Sequence, residues 1–476
     1  MPQIHLKTLL IATTLISWLT PSVDTHADGQ AGTDSAVRVV NHLTDSVVRY
    51  PVIVLRGEIP PGSTGLKITR NGEPLESAGV LVDSGRFKAL VPLTNGDNRL
   101  QLSPDGVPSD KSTELNITFQ PQTNPYYVRL IWMTDKTGDT RFATPNDEVP
   151  QDYEARLRTA AQLMQTFTAE RMHDAGYGRK TFRLERDENG EIIVHTLNGN
   201  KAAADYYKMS DNRWYGDING WLNENHPDPF AKNIVLAAYT RKDPQTGKML
   251  GHTALGGGNQ GLFGSGSVFS WPRDLSSAMQ VFQDDTAVDP SRVHDDSAFR
   301  GTYWGLASTT IGATLHEMGH AFGLPHCTDP LGIMTRGFDH FHRAFTFADP
   351  VSRVNNQPVE FNDNQVAYFA PISASYLQWT PWFRLDESES MPDSETKITI
   401  DHEKKEVRVS SPSGVRWVGF WVGDSVAYHR EISGDEPTQE VRFTREEIAK
   451  WLNGRKLSTV TSIASDGKAA RIAVRD

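Results

Sequence analysis

The sequence predicts a multidomain protein in which a mixed α/β (α+β) domain lies between two β-rich domains. The chain has 476 residues, which is too long for one ordinary domain. Short strand-like runs without helical periodicity occupy both ends, whereas the middle contains an apolar strand, a long amphipathic helix and a histidine-rich helix. With 38% hydrophobic and 22% charged residues, the composition is that of folded domains.

Residues 1–27 have the pattern of a secretory signal peptide. Lys7 precedes an apolar run at 9–19, and the small residues Thr25 and Ala27 predict cleavage directly afterwards. The run is shorter than the about 20 apolar residues that span a bilayer, although an uncleaved anchor is the alternative. We therefore expect a secreted, periplasmic or cell-surface protein with no membrane span after signal removal.

Charge and cysteine content exclude some classes of protein. The net charge is −11 and there is no block of Lys and Arg, so we expect no nucleic-acid partner. Cys327 is the single cysteine, which rules out an intramolecular disulfide. An exported chain of this kind must be stabilised by its hydrophobic cores or by a metal ion.

Residues 28–122 predict a β-sandwich. The stretch "SVVRYPVIVLRGEI" is rich in β-branched residues, and Asn71-Gly72 and Asn95-Gly96 are turn signals between strand-like runs. The region resembles the immunoglobulin-like modules of secreted proteins, and it contains no catalytic constellation.

Residues 123–388 predict the α/β domain. The strand "YYVRLIWMT" is followed by "DYEARLRTAAQLMQTFTAERMHDAGYG", whose apolar residues keep a helical spacing up to a stop at Gly176. Further strands are predicted at "KTFRLER", "EIIVHTL" and "NIVLAAY". The glycine-rich segment 256–267 contains no phosphate-binding motif, so we interpret it as a mobile or bulged edge segment.

Residues 389–476 predict a β-rich C-terminal domain. Five strand-like runs accompany one short helix, "TREEIAKWLNG", which Thr444 caps and Gly454 ends. The tryptophans of this part, including Trp417 and Trp421, suggest either a sugar-binding face or packing between strands, and we favour packing.

The stretch "TLHEMGHAFGLPHC", residues 314–327, carries the chemistry of the chain. His316 and His320 are four residues apart, so a helix places both imidazoles on one face. Ser308 or a nearby threonine is predicted to cap this helix. Glu317 is offset from His316 by about 100° and flanks the same face.

A third imidazole completes the predicted site. Gly323 can adopt the left-handed conformation that ends a helix, and Pro325 prevents its continuation. The chain can then return His326 to the ion bound by His316 and His320. Three imidazoles leave a fourth tetrahedral position open, which is the arrangement of catalytic rather than structural zinc.

The pattern His-Glu-x-x-His-x-x-Gly-x-x-His at 316–326 resembles the metzincin signature of zinc endopeptidases. Metzincins also have a methionine turn, for which Met334 is the candidate. The stretches "GHTALGGGNQGLFGSGSVFSWP" and "MTRGFDHFHRAF" also resemble an uncharacterised family of zinc peptidases that has an N-terminal β-domain. The resemblance implies one catalytic Zn²⁺ and Glu317 as general base, and it implies that a peptide pairs with an edge strand within 252–268.

We therefore expect a secreted zinc-dependent endopeptidase that acts on protein or peptide substrates. Two alternatives stay open. One is an exported binding or adhesion protein whose peptidase domain holds zinc without cleaving anything, although the intact Glu317 argues against it. The other is a zinc hydrolase of non-peptide amides, which the motif does not distinguish.

Three further features have open roles. Arg336 stands where astacin-type metzincins have a tyrosine, and it either supports the oxyanion or pairs with an acid such as Asp339; we favour the pairing. Cys327 is predicted to be a buried residue rather than a regulatory thiol. The acidic segment 284–296 suggests Ca²⁺, but its spacing does not match an EF-hand, so we favour a solvated loop.

Overall fold

The computed structural model describes residues 36–387, 394–434 and 436–474, so the predicted signal peptide lies outside the described residues. The N-terminal part contains the strands β1 (Arg38–Val39), β2 (Ser46–Val48), β3 (Val52–Glu58), β4 (Gly65–Arg70), β5 (Glu73–Pro74), β6 (Gly79–Asp83), β7 (Arg86–Pro92), β8 (Gly96–Asp105) and β9 (Thr113–Phe119).

The N-terminal strands form two sheets around one core. Their orders are β1-β3-β7-β6 and β2-β9-β8-β4-β5. Alternate residues of β3 serve two different cores, because successive side chains of a strand point to opposite faces. Ile53 and Leu55 join the core between the sheets, whereas Val52 and Val54 join the core of the next domain. The immunoglobulin-like relationship stays a prediction.

The central part contains β10 (Tyr127–Thr134), α1 (Tyr153–Asp174), β11 (Val194–Asn198), α2 (Ala203–Tyr206), α3 (Asp211–Asn225), β12 (Ala231–Ala237), β13 (Arg241–Lys242), β14 (Met249–Leu250), β15 (Ala254–Gly257), β16 (Gln260–Gly264), α4 (Leu275–Val281), α5 (Tyr303–Ala321), β17 (Ala348–Asp349), β18 (Val359–Glu360) and α6 (Pro371–Leu377). Four 3₁₀ helices lie at Ser265–Ser270, Gly337–Ala344, Asp363–Gln365 and Pro381–Phe383.

A five-stranded sheet organises the central part, in the order β11-β10-β12-β16-β15. The first four strands are parallel, and β15 pairs antiparallel with β16 at the edge. Leu130 and Ile234 face a core shared with α1 and α5, whereas Ile131 and Val235 face a core shared with α2 and α3. Helices therefore cover both faces of the sheet, as expected for parallel strands, and the predicted α/β class is confirmed.

One local prediction for this part was wrong, and one helix was missed. The segment "KTFRLER" forms only isolated bridges, Val128 to Leu184 and Arg186 to Ile192, instead of a strand. Helix α3 was not predicted, because its asparagines and glycines are weak helix formers. It is held in place by tertiary packing of its apolar side, where Trp214 is buried.

The C-terminal part contains β19 (Lys397–Asp401), β20 (Glu406–Ser410), β21 (Val415–Val422), β22 (Ser425–Glu431), β23 (Glu440–Thr444), α7 (Arg445–Trp451), β24 (Thr459–Ala464) and β25 (Ala469–Ala473). The sheets are β19-β20-β23 and β22-β21-β24-β25. The predicted cap of α7 is confirmed, because Thr444 and Glu447 form a capping box.

The three parts pack against one another. Trp417 is buried in the central core, and its indole nitrogen donates a hydrogen bond to Ser375 Oγ at 3.0 Å. The buried ammonium of Lys88 in β7 donates to the carbonyl oxygens of Arg343 and Thr346 at 2.9 and 2.6 Å. Among the described residues, helices long and apolar enough to cross a bilayer are absent.

A buried carboxylate on α1 joins the central part to the N-terminal sheets. Glu170 Oε1 accepts hydrogen bonds from Tyr50 Oη at 2.9 Å and Arg179 Nε at 2.8 Å, and His42 Nε2 lies 3.4 Å from the same oxygen. Burial alone would raise the pKa of Glu170, but His42 and Arg179 more than offset this and hold it well below its ordinary value. Glu170 is therefore ionised inside the interface.

Candidate metal centre

Helix α5 supplies two of the three candidate ligands. It begins at Tyr303, and Thr302 caps it by accepting a hydrogen bond from Gly305 N. The prediction that the helix starts near Ser308 was wrong, because the sequence before it is apolar and continues the helix. The Ser308 hydroxyl instead lies inside the fold, where it donates to the carbonyl of Asp339.

His316 and His320 point the same ring nitrogen at one position. His316 Nδ1 donates to the carbonyl of Ile333 at 2.7 Å, and His320 Nδ1 donates to that of Leu324 at 2.8 Å. These bonds fix the tautomer, so the lone pair is on Nε2 in both rings. The two Nε2 atoms are 3.2 Å apart.

The third imidazole reaches this position through a break in the helix. Gly323 has a φ of +98°, which is the left-handed conformation predicted for it, and the hydroxyl of Tyr376 occupies the space that a β-carbon would fill. His326 Nε2 then lies 3.2 Å from His320 Nε2. The backbone of His326 also forms a parallel bridge with Ser425 of β22.

The three rings fit a zinc ion. Ligand atoms at the 2.0–2.1 Å of a Zn–N bond stand about 3.3 Å apart in a tetrahedral site, and the measured separations from His320 are both 3.2 Å. Burial lowers the pKa of His316 to about 3, and burial also lowers the pKa of His320, so both rings are neutral. Neutral rings with converging lone pairs are the ligating form.

Glu317 is buried beside these ligands. Its side chain is 6% exposed, and burial raises the pKa of Glu317 to about 8. The backbone at Glu317 packs on two glycines that face each other across β15 and β16. A β-carbon at Gly256 would overlap the Glu317 carbonyl oxygen, and one at Gly261 would lie 2.9 Å from its carbonyl carbon.

Met334 lies under the same helix. It is fully buried, and its sulfur fills the space next to Gly319, where a β-carbon would overlap it. The carbonyl of Met334 accepts a hydrogen bond from Cys327 N at 3.1 Å. The structure thus brings Met334 close to the histidine helix, and its role as a methionine turn stays a prediction.

Arg336 and Cys327 have the contacts that we favoured. Arg336 forms an ion pair with Asp339, with Nη2 2.9 Å from the carboxylate, and its guanidinium stacks over the ring of Phe338. Cys327 is buried, and its sulfur lies 3.0 Å from Thr335 Oγ1. Both residues therefore support the loop that follows His326.

The segment predicted to receive a peptide, 252–268, contains β15 at the edge of the sheet. Sequence reasoning missed Tyr215, which lies in α3 and donates a hydrogen bond from its hydroxyl to Gly257 O at 2.6 Å. Burial and, to a smaller extent, the charge of Glu317 together raise the pKa of Tyr215 to about 12. Only the fold brings α3 to this strand, so the sequence held no signal for Tyr215.

Comparisons with known proteins agree on a class. A family model named Metallopep, described as "Putative peptidase family", matches residues 36–415. Two yeast proteins carry the name "Putative zinc metalloproteinase". The protein from Schizosaccharomyces pombe is 32% identical over 61% of this chain, and the one from Saccharomyces cerevisiae is 26% identical over 79%. The chain spans 50% and 62% of the lengths of these relatives.

A solved structure is also similar, but distantly. The crystal structure of wild-type OgpA from Akkermansia muciniphila aligns with a TM-score of 0.43 and 16% identity. The alignment covers 74% of this chain and 93% of that one.

Proposed function

Because the chain belongs to the family described as "Putative peptidase family", we propose that it is an exported zinc-dependent endopeptidase of the metzincin type. One observation carries the proposal. The Nε2 atoms of His316, His320 and His326 converge, at 3.2 Å from His320 to each of the others, and Glu317, the residue after His316, is buried. The exposure of His326 leaves one side of this site open to a substrate.

The site residues have separate tasks in this proposal. His316, His320 and His326 would hold a zinc ion, which when bound would supply Lewis-acid activation of a water molecule and of the scissile carbonyl group. Glu317 accepts a proton from the attacking water and delivers it to the leaving amine. Its burial supports this exchange, because a raised pKa makes a carboxylate a better proton acceptor.

The substrate would be an extended peptide alongside β15. The edge of a sheet presents unpaired backbone groups to which a peptide can add as a further strand. Since Gly256 packs on the backbone of Glu317, a peptide on β15 would run beside the turn of α5 that carries Glu317. Tyr215 holds the carbonyl of Gly257 at the end of this strand.

Further parts of the proposal rest on the sequence and on the fold. The signal-like pattern at 1–27 supports export to the periplasm, the cell surface or the medium. The spacing and burial of Met334 support a methionine turn, and the two sheets of the N-terminal part support an immunoglobulin-like domain.

A peptide-library digest tests the proposal. We expect chelator-sensitive cleavage of internal peptide bonds by the wild-type chain, with loss of cleavage in Glu317→Ala while the zinc of the histidine site stays bound. Glu224→Ala is the matched control, because Glu224 is an exposed glutamate on α3. His320→Ala is expected to lose both the metal of this site and the activity.

Other outcomes would favour the alternatives. Zinc bound by the three histidines without cleavage of any peptide would indicate a binding or adhesion protein. Hydrolysis of small amides without peptide cleavage would indicate a non-peptide amidase. Cleavage that survives in Glu317→Ala would contradict the role of this carboxylate.

A further inference from the structure

A second group of potential ligands lies outside the site described above. His252, His294 and Asp296 each offer one ligand atom, and these atoms all lie within 4.8 Å of one another. His252 Nε2 is 3.9 Å from Asp296 Oδ2, and the two imidazole rings are 5.4 Å apart between centroids. We propose that these three residues bind a second divalent transition-metal ion of the zinc class.

His294 and Asp296 are two residues apart and reach the same place. Their ligand atoms lie within 4.8 Å of each other and of the ligand atom of His252. Asp295, the residue between them, accepts hydrogen bonds from Ser297 Oγ and, at 3.0 Å, from Arg353 Nη1. Because Asp295 is anchored elsewhere, its two neighbours are free to face His252.

Tertiary packing holds His252 in position. The edge of its ring packs against Phe263 at 5.5 Å between centroids, and its backbone leads directly into β15. A β-carbon at Gly264 would lie 2.5 Å from His252 Nδ1, so this close approach depends on glycine. The imidazole therefore has little freedom to turn away from Asp296.

The three side chains have few other polar contacts among the described residues. Among the residues that the structure describes, neither His294 nor Asp296 has a side-chain hydrogen-bond partner, and the contact of Asp296 with His252 is too long for a hydrogen bond. His252 Nε2 is the ring nitrogen that faces Asp296, and His294 and Asp296 are half-buried. An ion between these three side chains would give each of them a partner within the protein.

The donor set identifies the class of ion. Two imidazoles and one carboxylate suit zinc and related first-row ions, whereas Ca²⁺ and Mg²⁺ prefer oxygen ligands. Donor atoms in a tetrahedral zinc site stand about 3.3 Å apart, so binding would draw together the three ligand atoms, which lie 3.9 Å apart for His252 and Asp296 and within 4.8 Å for the whole group. The acidic segment 284–296 thus points to zinc rather than to the calcium that its composition suggested.

The ion would fasten a long loop to the edge strand. His294 and Asp296 belong to the connection between α4 and α5, and His252 lies two residues before β15. This connection also contains Ala298 and Phe299 with φ of 52° and 68°, a strained conformation that surrounding contacts must hold. A bound ion is therefore a clamp next to the strand on which Gly256 meets Glu317.

Metal counting in a chain without the first site tests the proposal. The test uses the full, untagged chain with His316→Ala and His320→Ala, dialysed against metal-free buffer. We expect about one zinc ion per chain, measured by inductively coupled plasma mass spectrometry. Adding Asp296→Asn or His294→Ala should lower this to near zero and weaken Co²⁺ binding, followed by its visible absorption, more than about tenfold. His402→Ala, at an exposed turn, is the control and should change nothing.

The proposal is overturned if the His316→Ala/His320→Ala chain retains no zinc, or if its zinc is unaffected by Asp296→Asn and His294→Ala. Circular dichroism establishes that each variant is folded, and Asp296→Asn preserves the size of the side chain should His294→Ala fail to fold. These results do not depend on peptide cleavage. A failure of the endopeptidase proposal, seen in the digest, is therefore distinct from a failure of the second metal site.

Discussion

Gly256 in β15 lies directly against the carbonyl oxygen of Glu317 in α5, with no side chain between the two backbones. The contact sets the distance between the sheet edge and the helix that carries His316 and His320. Side chains at both Gly256 and its cross-strand partner Gly261 would separate the two elements. The position of the carboxylate therefore depends on residues that have no functional group.

Gly256→Ala should reduce both stability and activity. The added methyl group overlaps the Glu317 carbonyl, and overpacking of this kind costs about 1–3 kcal/mol. The measurement is the free energy of unfolding in urea, together with kcat/KM on a peptide from the library digest. Gly220→Ala is the control: Gly220 lies within α3 with open space around it, so alanine should stabilise by about 0.5–1 kcal/mol. Equal effects of both variants would contradict the prediction.

Gly319→Ala and Met334→Ala should partly compensate each other. A β-carbon at position 319 overlaps the sulfur of Met334, whereas Met334→Ala leaves a cavity that costs about 2–5 kcal/mol. The double variant should be destabilised by less than the sum of the two, because the new methyl group enters the cavity. Met133 lies on the other face of the sheet, so the losses of stability caused by Gly319→Ala and Met133→Ala should add up in their double variant. Additivity of both pairs would show that Met334 does not contact Gly319.

Glu170→Gln should loosen the N-terminal sheets from α1. Arg179 loses its buried partner, and breaking a buried ion pair on one side costs about 3–5 kcal/mol. We expect a lower urea midpoint and faster proteolysis between the N-terminal and central parts. Glu188→Gln, at an exposed position, should leave both unchanged. Cleavage sites confined to the C-terminal part would contradict the prediction.

Acid should weaken the fold through His342. Burial lowers the pKa of His342 to about 4, although the hydrogen bond to Asp349 acts in the opposite direction. In the unfolded chain the His342 ring is protonated below about pH 6.5, whereas in the native protein it becomes protonated only below about pH 4. The contribution of neutral His342 is thus fully present above pH 6.5 and is lost as the pH falls to about 4.

The measurement compares the wild-type chain with His342→Gln by urea unfolding in chelator between pH 7.5 and 4. Glutamine does not titrate, so the difference in the free energy of unfolding should narrow on acidification. His402→Ala should track the wild-type chain at every pH. If the difference in the free energy of unfolding stays constant with pH, protonation of His342 does not contribute to the loss of stability in acid.

The sequence predicted the parts of the fold that local pattern determines. The burial of Met164 and Phe167 along α1 and the left-handed Gly323 follow from periodicity and from a helix-ending rule. The convergence of His316, His320 and His326 was predictable for the same reason, because a stretch of eleven residues contains all three.

Other features needed the folded chain. The predicted start of α5 was too late, because the apolar residues before Ser308 are compatible both with the helix itself and with the segment that leads into it. Tyr215 and the group of His252, His294 and Asp296 were missed because their members lie far apart in sequence. The loop before α5 brings His294 and Asp296 to His252, which lies just before β15.

The bridge between His326 and Ser425 couples the last of the three histidines to the final β-rich part of the chain. A shortened protein that ends before β21 would lack the strand whose backbone bridges to His326. It would retain α5 with His316 and His320 but lose this support for the third histidine, so a negative zinc-binding assay on it would not test the full chain.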